Sequence, residues 1–183
     1  NVGRLSRQKA QSDLVSSAIQ LKQWSQNFVI LIVGEGPLAE SLQKQINKQG
    51  LEKHVMLLGY RKDVNNLLNI SNVFALPSLD EGMPMALLEA ASARVPIVTT
   101  AVGDIPKLII NGESGLVVPA EDSILLAKAI QTIWQSPEIA EKFTVSAYKR
   151  MTERYSNRVM AEKYSKLYSN LLAPLKTQPK LEV

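Results

Sequence analysis

Two glutamates on either side of an apolar stretch could do chemistry in this sequence. Seven residues, nearly all apolar, separate Glu81 from Glu89. The pair follows Val73–Leu76, an apolar run typical of a buried strand. Gly82 and Pro84 stand where the next loop passes into a helix, since proline is favoured in the first helical turn. The stretch therefore predicts a strand, a short loop and a helix start, with one carboxylate before the helix and one inside it.

A helix start of this kind can bind an anion. The first backbone N–H groups of a helix have no partner within it, and the helix dipole is positive there. Gly82 has no side chain, so a ligand could approach its backbone closely. We therefore expect an anion-binding site between the strand and the helix.

The two carboxylates have structural as well as functional explanations. A helix that is apolar on most faces is buried, so we expect Glu89 to be a buried charge that needs a partner. That partner could be a structural arginine, a backbone donor or a ligand. Glu81 could act only as a favourable charge at a helix N-terminus, or it too could bind a ligand.

Composition limits the class of protein. A chain of 183 residues is about one domain, and 45% hydrophobic residues suffice for a core. Cysteine is absent, which excludes disulfides and thiolate zinc sites and fits a reducing compartment. No apolar run approaches the roughly 20 residues of a membrane span, and no signal peptide is visible. We expect a cytoplasmic domain whose native chain begins earlier, because Asn1–Leu5 has the pattern of a strand end.

The net charge of +4 comes largely from lysines and arginines in the last third of the chain. These side chains are typical of solvated helix faces, with peripheral contact to the inner face of a membrane as an open alternative. Nucleic acid is not an expected partner, because the aromatic residues, only 5% of the chain, do not interleave with basic ones.

Strand and helix patterns alternate along the chain. This order predicts an α/β fold, a Rossmann-like parallel sheet with helices on both faces. The predicted strands are Phe28–Val33, Val55–Leu58, Val73–Leu76, Pro96–Thr100 and Leu116–Val118. The longer predicted helices are Gln11–Trp24, Asp63–Ser71, Ser123–Trp134, Pro137–Arg154 and Asn157–Leu172, with one more ending near Lys48 and a short one after Pro106.

Ligands in such sheets bind beyond the carboxyl ends of the strands. Candidate residues fall there after four separate strands: Arg4 and Lys9, Gly34, Arg61, and the stretch from Glu81 to Glu89. The Gly34-Glu35-Gly36 turn lacks the third glycine of a dinucleotide fingerprint, so a tight structural turn explains it equally well. His54, the only histidine, is expected to be structural. Arg7 is an additional candidate cation.

The residues from Pro77 to Ala90 resemble the Glu-x7-Glu motif of retaining nucleotide-sugar glycosyltransferases of the large group 1 family. The resemblance runs from Val2 to about Leu172. It implies one half of a two-domain GT-B enzyme, the C-terminal, donor-binding domain. Residues 1–156 would form the nucleotide-sugar-binding domain, residues 157–172 a helix that crosses to an absent N-terminal domain, and residues 173–183 a polar tail.

The resemblance also implies roles for single residues. Arg4 and Lys9 would hold the donor diphosphate and Glu81 the hydroxyls of the donor sugar, and these three are the predicted catalytic residues. Glu89 would bind the ribose hydroxyls. The other predicted donor-binding residues are Gly3, Gly34, Tyr60, Arg61, Gly82, Met83, Pro84 and Met85. The sequence departs from the family pattern at Ala10 and Arg94, where glycine is usual, and at Asp104 and Lys107, where glycine and glutamate are usual.

The function implied by the resemblance is transfer of a sugar from a nucleoside-diphosphate sugar, with retention and with neither a metal nor another cofactor. The acceptor, a glycan or a lipid-linked molecule, would bind through the missing domain, so the isolated chain should transfer little. Two alternatives stay open: a nucleotide-binding α/β module without transferase activity, and a related glycosyl phosphorylase. A Rossmann oxidoreductase is disfavoured, since no full Gly-x-Gly-x-x-Gly is present.

Smaller expectations concern the C-terminal helices. Asp122 and Ser136 are predicted helix caps, with Pro137 in the first turn of its helix. Five apolar side chains recur at helical spacing in the last helix, and we expect this stripe to pack mainly into the core: Tyr164, Leu167, Tyr168, Leu171 and Leu172.

Overall fold

The computed structural model describes residues 1–172. Within them, five strands and eight α-helices alternate over most of the chain, and one short 3₁₀ helix precedes α1. The strands are β1 (Ile30–Val33), β2 (Val55–Gly59), β3 (Phe74–Leu76), β4 (Ile97–Thr100) and β5 (Leu116–Val118). The helices are the 3₁₀ helix Arg7–Lys9, α1 (Gln11–Trp24), α2 (Ala39–Lys48), α3 (Val64–Asn69), α4 (Met85–Ser92), α5 (Ile105–Leu108), α6 (Ser123–Gln135), α7 (Pro137–Tyr155) and α8 (Asn157–Leu172).

All strand pairs are parallel, in two groups. β1 pairs with β2, and β3, β4 and β5 pair in that order. The first residues of the chain lie between the two groups: Val2 forms a parallel bridge with Val33, and Asn1 Nδ2 donates to the carbonyl of Ala75 at 2.8 Å. The predicted α/β class is confirmed, and the first loop starts at the centre of the fold, between β1 and β3.

Successive side chains along a strand point to opposite faces, so the sheet of β3, β4 and β5 has a core on each face. Ala75 and Val98 belong to the core that α1, α2 and α6 cover. Their strand neighbours Phe74 and Ile97 belong to the core formed with α4, α5 and α7. The helices therefore enclose the sheet from both sides, and the polar loops collect at the strand ends.

The helix boundaries follow the sequence signals closely. Asp122 caps α6 as predicted, because its carboxylate accepts from the backbone N–H groups of Ile124 and Leu125 at 3.1 and 2.8 Å. Pro137 occupies the first turn of α7, also as predicted. Ser136 is the N-cap residue of α7 as predicted, but its side chain makes no capping hydrogen bond.

The expectation that the apolar stripe of α8 packs into the core is wrong. Its five side chains are between 49% and 83% exposed, because α8 packs against α7 and no helix or strand of residues 1–172 covers its apolar side. The predicted polar tail, 173–183, lies outside the described residues. None of the helices described is both long and apolar enough to cross a membrane.

Two of the three positions where the family usually has glycine have left-handed backbone, and the third, Asp104, has φ −89°. Ala10 has φ 46° and Arg94 has φ 56°. A side chain costs about 1–2 kcal/mol in this conformation, so the surroundings must hold these residues in place. Arg94 places its guanidinium 4.4 Å from the ring centroid of Tyr148 on α7, and Ala10 is buried between the 3₁₀ helix and α1.

Candidate functional site

Three loops at the carboxyl ends of the central strands touch one another through glycines. The Gly34 N–H, after β1, donates to the Gly59 carbonyl at the end of β2, at 2.8 Å. Gly34 has φ 137°, and a Cβ on it would lie only 2.0 Å from the carbonyl oxygen of Gly3. Only glycine fits there, so Gly3 and Gly34, both predicted site residues, are neighbours.

The first loop, residues 3–10, is fixed along its whole length. The Leu5 N–H donates to Glu35 O at 2.9 Å, and Gln11 Nε2 donates to Arg4 O at 3.0 Å. Further along, the backbone carbonyl oxygen of Gln8 accepts from the Leu79 N–H at 2.7 Å. This bond joins the first loop to the loop that follows β3. The left-handed turn at Ala10 then leads directly into α1.

Lys9 and Glu81 form the central contact of the site. Lys9 Nζ lies 2.5 Å from Glu81 Oε1, although the two residues are 72 positions apart in the sequence. The Ser78 hydroxyl donates to the same oxygen at 2.6 Å. Glu81 is only 6% exposed, and a buried carboxylate is tolerated only with such partners. Two of the three predicted catalytic residues are thus in direct contact.

The end of β4 and the loop after it contact the backbone of Ser78 and Glu81. Thr100 Oγ1 donates to Ser78 O at 2.5 Å, and the Asp104 N–H donates to Glu81 O at 3.3 Å. Gly103 has φ 51°, and a Cβ added there would lie 1.8 Å from Glu81 O. The backbone of Glu81 therefore rests directly on Gly103.

Asp104 and Lys107, two departures from the family pattern, bind each other at 2.5 Å. Their hydrogen bond raises the pKa of Lys107. Both are exposed, so the pair lies at the surface.

Beyond Glu81 the chain opens to solvent. Gly82 is exposed, Met83 and Met85 are 53% and 62% exposed, and Pro84 is buried just before α4 begins at Met85. Glu89 is exposed as well, and its carboxylate has no hydrogen bond or ion pair within residues 1–172. The prediction of a buried, partnered Glu89 is wrong: α4 buries the side that carries Leu87, Ala90 and Ala91, and its other side faces outward.

The remaining predicted residues make no hydrogen bond or ion pair with the side chain of Lys9 or of Glu81. Arg4 is exposed and has no side-chain partner in the part of the chain described, and Arg7 is exposed on the 3₁₀ helix. Tyr60 is 67% exposed after β2. Arg61 donates twice to Asp63, at 2.8 and 2.6 Å, and this hydrogen bonding lowers the pKa of Asp63.

Three residues that support the site are not predicted from the sequence: Ser78, Thr100 and Gly103. Only Ser78 carried a usable signal, since a hydroxyl three positions before a glutamate can reach its carboxylate within one turn. His54 is structural in this fold, as expected: its ring stacks on Phe28 at 4.6 Å between centroids, and it is 6% exposed. No group of three His, Cys, Asp or Glu within residues 1–172 is placed to hold a metal ion.

A groove of about 560 Å³ lies elsewhere, at the amino ends of β1 and β3. Phe28, Val29 and Val73 line it together with Ile130 and Trp134 of α6. Ligands of open parallel sheets bind at the opposite, carboxyl ends of the strands, so the groove is not part of the candidate site.

Comparison with known proteins is consistent with this placement. The family model described as "Glycosyl transferases group 1" matches residues 1–150. An uncharacterized glycosyltransferase of Methanocaldococcus jannaschii, MJ1059, is 32% identical over 181 residues, which cover 93% of this chain and 43% of that protein. The chain spans about half the length of the curated relatives it matches.

Two solved structures share the fold. Anabaena HepE, crystallised in complex with UDP, superposes with a TM-score of 0.84 at 23% identity, covering 92% of this chain and 48% of HepE. The C-terminal domain of the group 1 glycosyltransferase LpcC from Francisella tularensis gives a TM-score of 0.76 at 20% identity and 85% coverage of both chains. With the family match, these likenesses confirm the predicted resemblance: the chain belongs to the group 1 glycosyltransferases and corresponds to their C-terminal, donor-binding domain.

Proposed function

We propose that this chain binds a nucleoside-diphosphate sugar and, joined to an N-terminal acceptor domain, transfers the sugar to a glycan or lipid-linked acceptor with retention and without a metal. The observation that carries the proposal is the Lys9–Glu81 contact of 2.5 Å at the carboxyl ends of the strands. It brings a cation of the first loop and an acid of the loop after β3 to one place, beside the start of α4.

The cations suit a diphosphate leaving group. Negative charge builds on the diphosphate as the bond to the sugar breaks, and Arg4 and Lys9 would stabilise it together with the first N–H groups of α4. Each hydrogen-bond donor that is fixed toward developing charge typically lowers the activation free energy by about 3–4 kcal/mol. The exposed guanidinium of Arg4, which has no partner within residues 1–172, is available for this contact.

The carboxylates suit hydroxyl groups. Glu81 would accept from hydroxyls of the donor sugar, and Glu89 from the ribose hydroxyls. Exposure of Glu89 supports its role, because a carboxylate with no protein partner can accept two hydrogen bonds from a ligand without losing others. Gly3, Gly34, Tyr60 and Arg61 would line the nucleotide side of the cleft, and Met83 and Met85 the sugar side. UDP bound in the HepE structure makes a uracil nucleotide the first to test.

Calorimetric titration with UDP, ADP and GDP tests the proposal on the 183-residue chain. We expect one of the three to bind, and Arg4→Ala to weaken it about tenfold or more, the effect of one charge-assisted hydrogen bond. Arg154→Ala removes another exposed cation, on α7, and should leave the affinity unchanged. Binding of none of the three, or equal affinities of wild type and Arg4→Ala, would contradict the proposal.

We also propose that α8 contacts the N-terminal domain through its apolar side. Its exposed side chains include Leu171 and Leu172, and Tyr164 stacks on Tyr168 at 6.2 Å between ring centroids. Amide hydrogen exchange of α8 should be slower in the full-length enzyme than in this chain, and equal rates would argue against the contact. The isolated chain should accordingly transfer little sugar compared with the full-length enzyme. Cytoplasmic location with peripheral membrane contact is the setting we propose for this enzyme.

A further inference from the structure

The two oxygens of the Glu81 carboxylate have different surroundings. Oε1 accepts from both Lys9 Nζ, at 2.5 Å, and Ser78 Oγ, at 2.6 Å. Oε2 accepts no hydrogen bond from residues 1–172, yet it is not among their buried atoms that lack a partner. It therefore reaches solvent even though the residue as a whole is buried.

Ser78 is placed to keep this arrangement. Its side chain is completely buried, with 0% exposure, so its hydroxyl has no water to turn to. Thr100 Oγ1 donates to the Ser78 carbonyl at 2.5 Å and ties the residue to the end of β4. A hydroxyl held in this way is a short, neutral donor of fixed direction, unlike the flexible lysine that shares Oε1 with it.

We propose that Ser78 is a positioning residue that fixes Glu81 Oε1 so that Oε2 alone is presented to a hydroxyl of the donor sugar. The inference rests on the proposed function and deepens it. Lys9 by itself could not fix the carboxylate once a donor binds, because its ammonium would then be shared with the diphosphate. Ser78 holds the acceptor in place while Lys9 shifts toward the phosphates.

The roles of the nucleotide and of the sugar can be separated by measuring two affinities. The ligands are whichever of UDP, ADP or GDP the chain binds, and the glucose conjugate of that nucleotide. Ser78→Ala should leave the affinity for the nucleoside diphosphate unchanged and weaken binding of the nucleotide sugar about tenfold, the effect of misplacing one buried acceptor. Thr100→Val should act in the same direction with a smaller change.

Thr99→Val is the matched control. Thr99 is also completely buried, and its hydroxyl donates to Leu76 O at 3.1 Å, away from Glu81. The Thr99→Val substitution removes a buried hydroxyl near the same end of the strand. A general loosening of the fold would therefore lower the affinities of Thr99→Val as well as those of Ser78→Ala. We expect Thr99→Val to leave the ratio of the two affinities unchanged, and circular dichroism to show that all variants are folded.

The possible outcomes separate this inference from the function on which it rests. The positioning role would be overturned if Ser78→Ala lowered both affinities together, or if the ratio of the two affinities equalled that of wild type. The proposal that the wild-type chain binds a nucleotide would still stand. A wild-type chain that binds none of the three nucleotides would overturn the proposed function, and the role of Ser78 with it.

Discussion

Glu81 and Glu89 are matched in the sequence and opposite in their surroundings. Glu81 is 6% exposed and held by two donors, in a fixed half of the site made of residues 3–10 and 77–81. Glu89 is exposed and has no partner within residues 1–172, in an open half made of residues 82–89. The difference suggests a division of labour: the fixed half is assembled before a ligand arrives, and the open half gains its contacts only with the ligand.

The fixed half also carries backbone strain that the open half lacks. Its strained residue is Ala10, which has a left-handed φ of 46°. Two glycines of neighbouring loops, Gly34 and Gly103, contact the fixed half with positive φ angles that glycine adopts without strain. A non-glycine residue in the left-handed conformation persists only where the surroundings determine it. We therefore expect loss of a buried contact in the fixed half to lower the stability of the fold, whereas changes in the open half should act mainly on binding.

The largest loss of stability is expected from Gly103→Ala. The new methyl group would lie 1.8 Å from Glu81 O at a residue with φ 51°, so clash and strain together should cost about 3–5 kcal/mol. Gly112→Ala is the control, because Gly112 has φ 74° but open space around it, and only strain of about 1 kcal/mol is expected. Urea unfolding measures both; equal losses would mean that the contact with Glu81 is not tight.

Lys9→Met should have the next largest effect on stability. It leaves the buried Glu81 carboxylate with Ser78 as its one side-chain donor among the described residues, at a cost of about 2–3 kcal/mol. Lys107→Met removes the cation of an exposed pair with Asp104 and should lower the stability much less than Lys9→Met does. If the two variants unfold at the same urea concentration, the Lys9–Glu81 pair does not stabilise the fixed half.

Glu89→Gln should have the smallest effect on stability and a clear effect on binding. Substitution of an exposed side chain without a partner changes the free energy of unfolding by about 0.5 kcal/mol or less. Loss of a charged acceptor for the ribose should, by contrast, weaken the nucleotide affinity about tenfold. Glu113→Gln changes another exposed glutamate, in the turn before β5, and should change neither quantity. Destabilisation by Glu89→Gln would show that the open half is not independent of the fold.

Much of the secondary structure was predictable because its signals are local. α1, α8 and β5 have the predicted bounds, and Asp122 caps α6 as its side chain and position indicate. β1 is shorter than predicted: Phe28 and Val29 are apolar but lie at the groove before the strand begins. Apolar composition shows that residues can form a strand but not where the partner strand stops.

Burial was predicted less well than secondary structure. The apolar stripe of α8 is expected in the core from its spacing in the sequence, but it is exposed. Periodicity identifies an apolar side of a helix, but it does not say which element covers that side. The same limit explains why Glu89, with apolar neighbours on both sides, was wrongly expected to be buried.

The sequence by itself determined the α/β order, the family, and the two glutamates and two cations that could bind a nucleotide sugar, since these depend on residue type and short spacing. Only the tertiary structure decided that Lys9 contacts Glu81, 72 positions further along the chain, and that Ser78 donates to the same carboxylate oxygen. It also decided that the carboxylate of Glu89 has no protein partner in the part described. These contacts depend on how the strands are ordered and how the loops close over glycines with left-handed backbone. No local pattern encodes the distance between two loops that follow different strands.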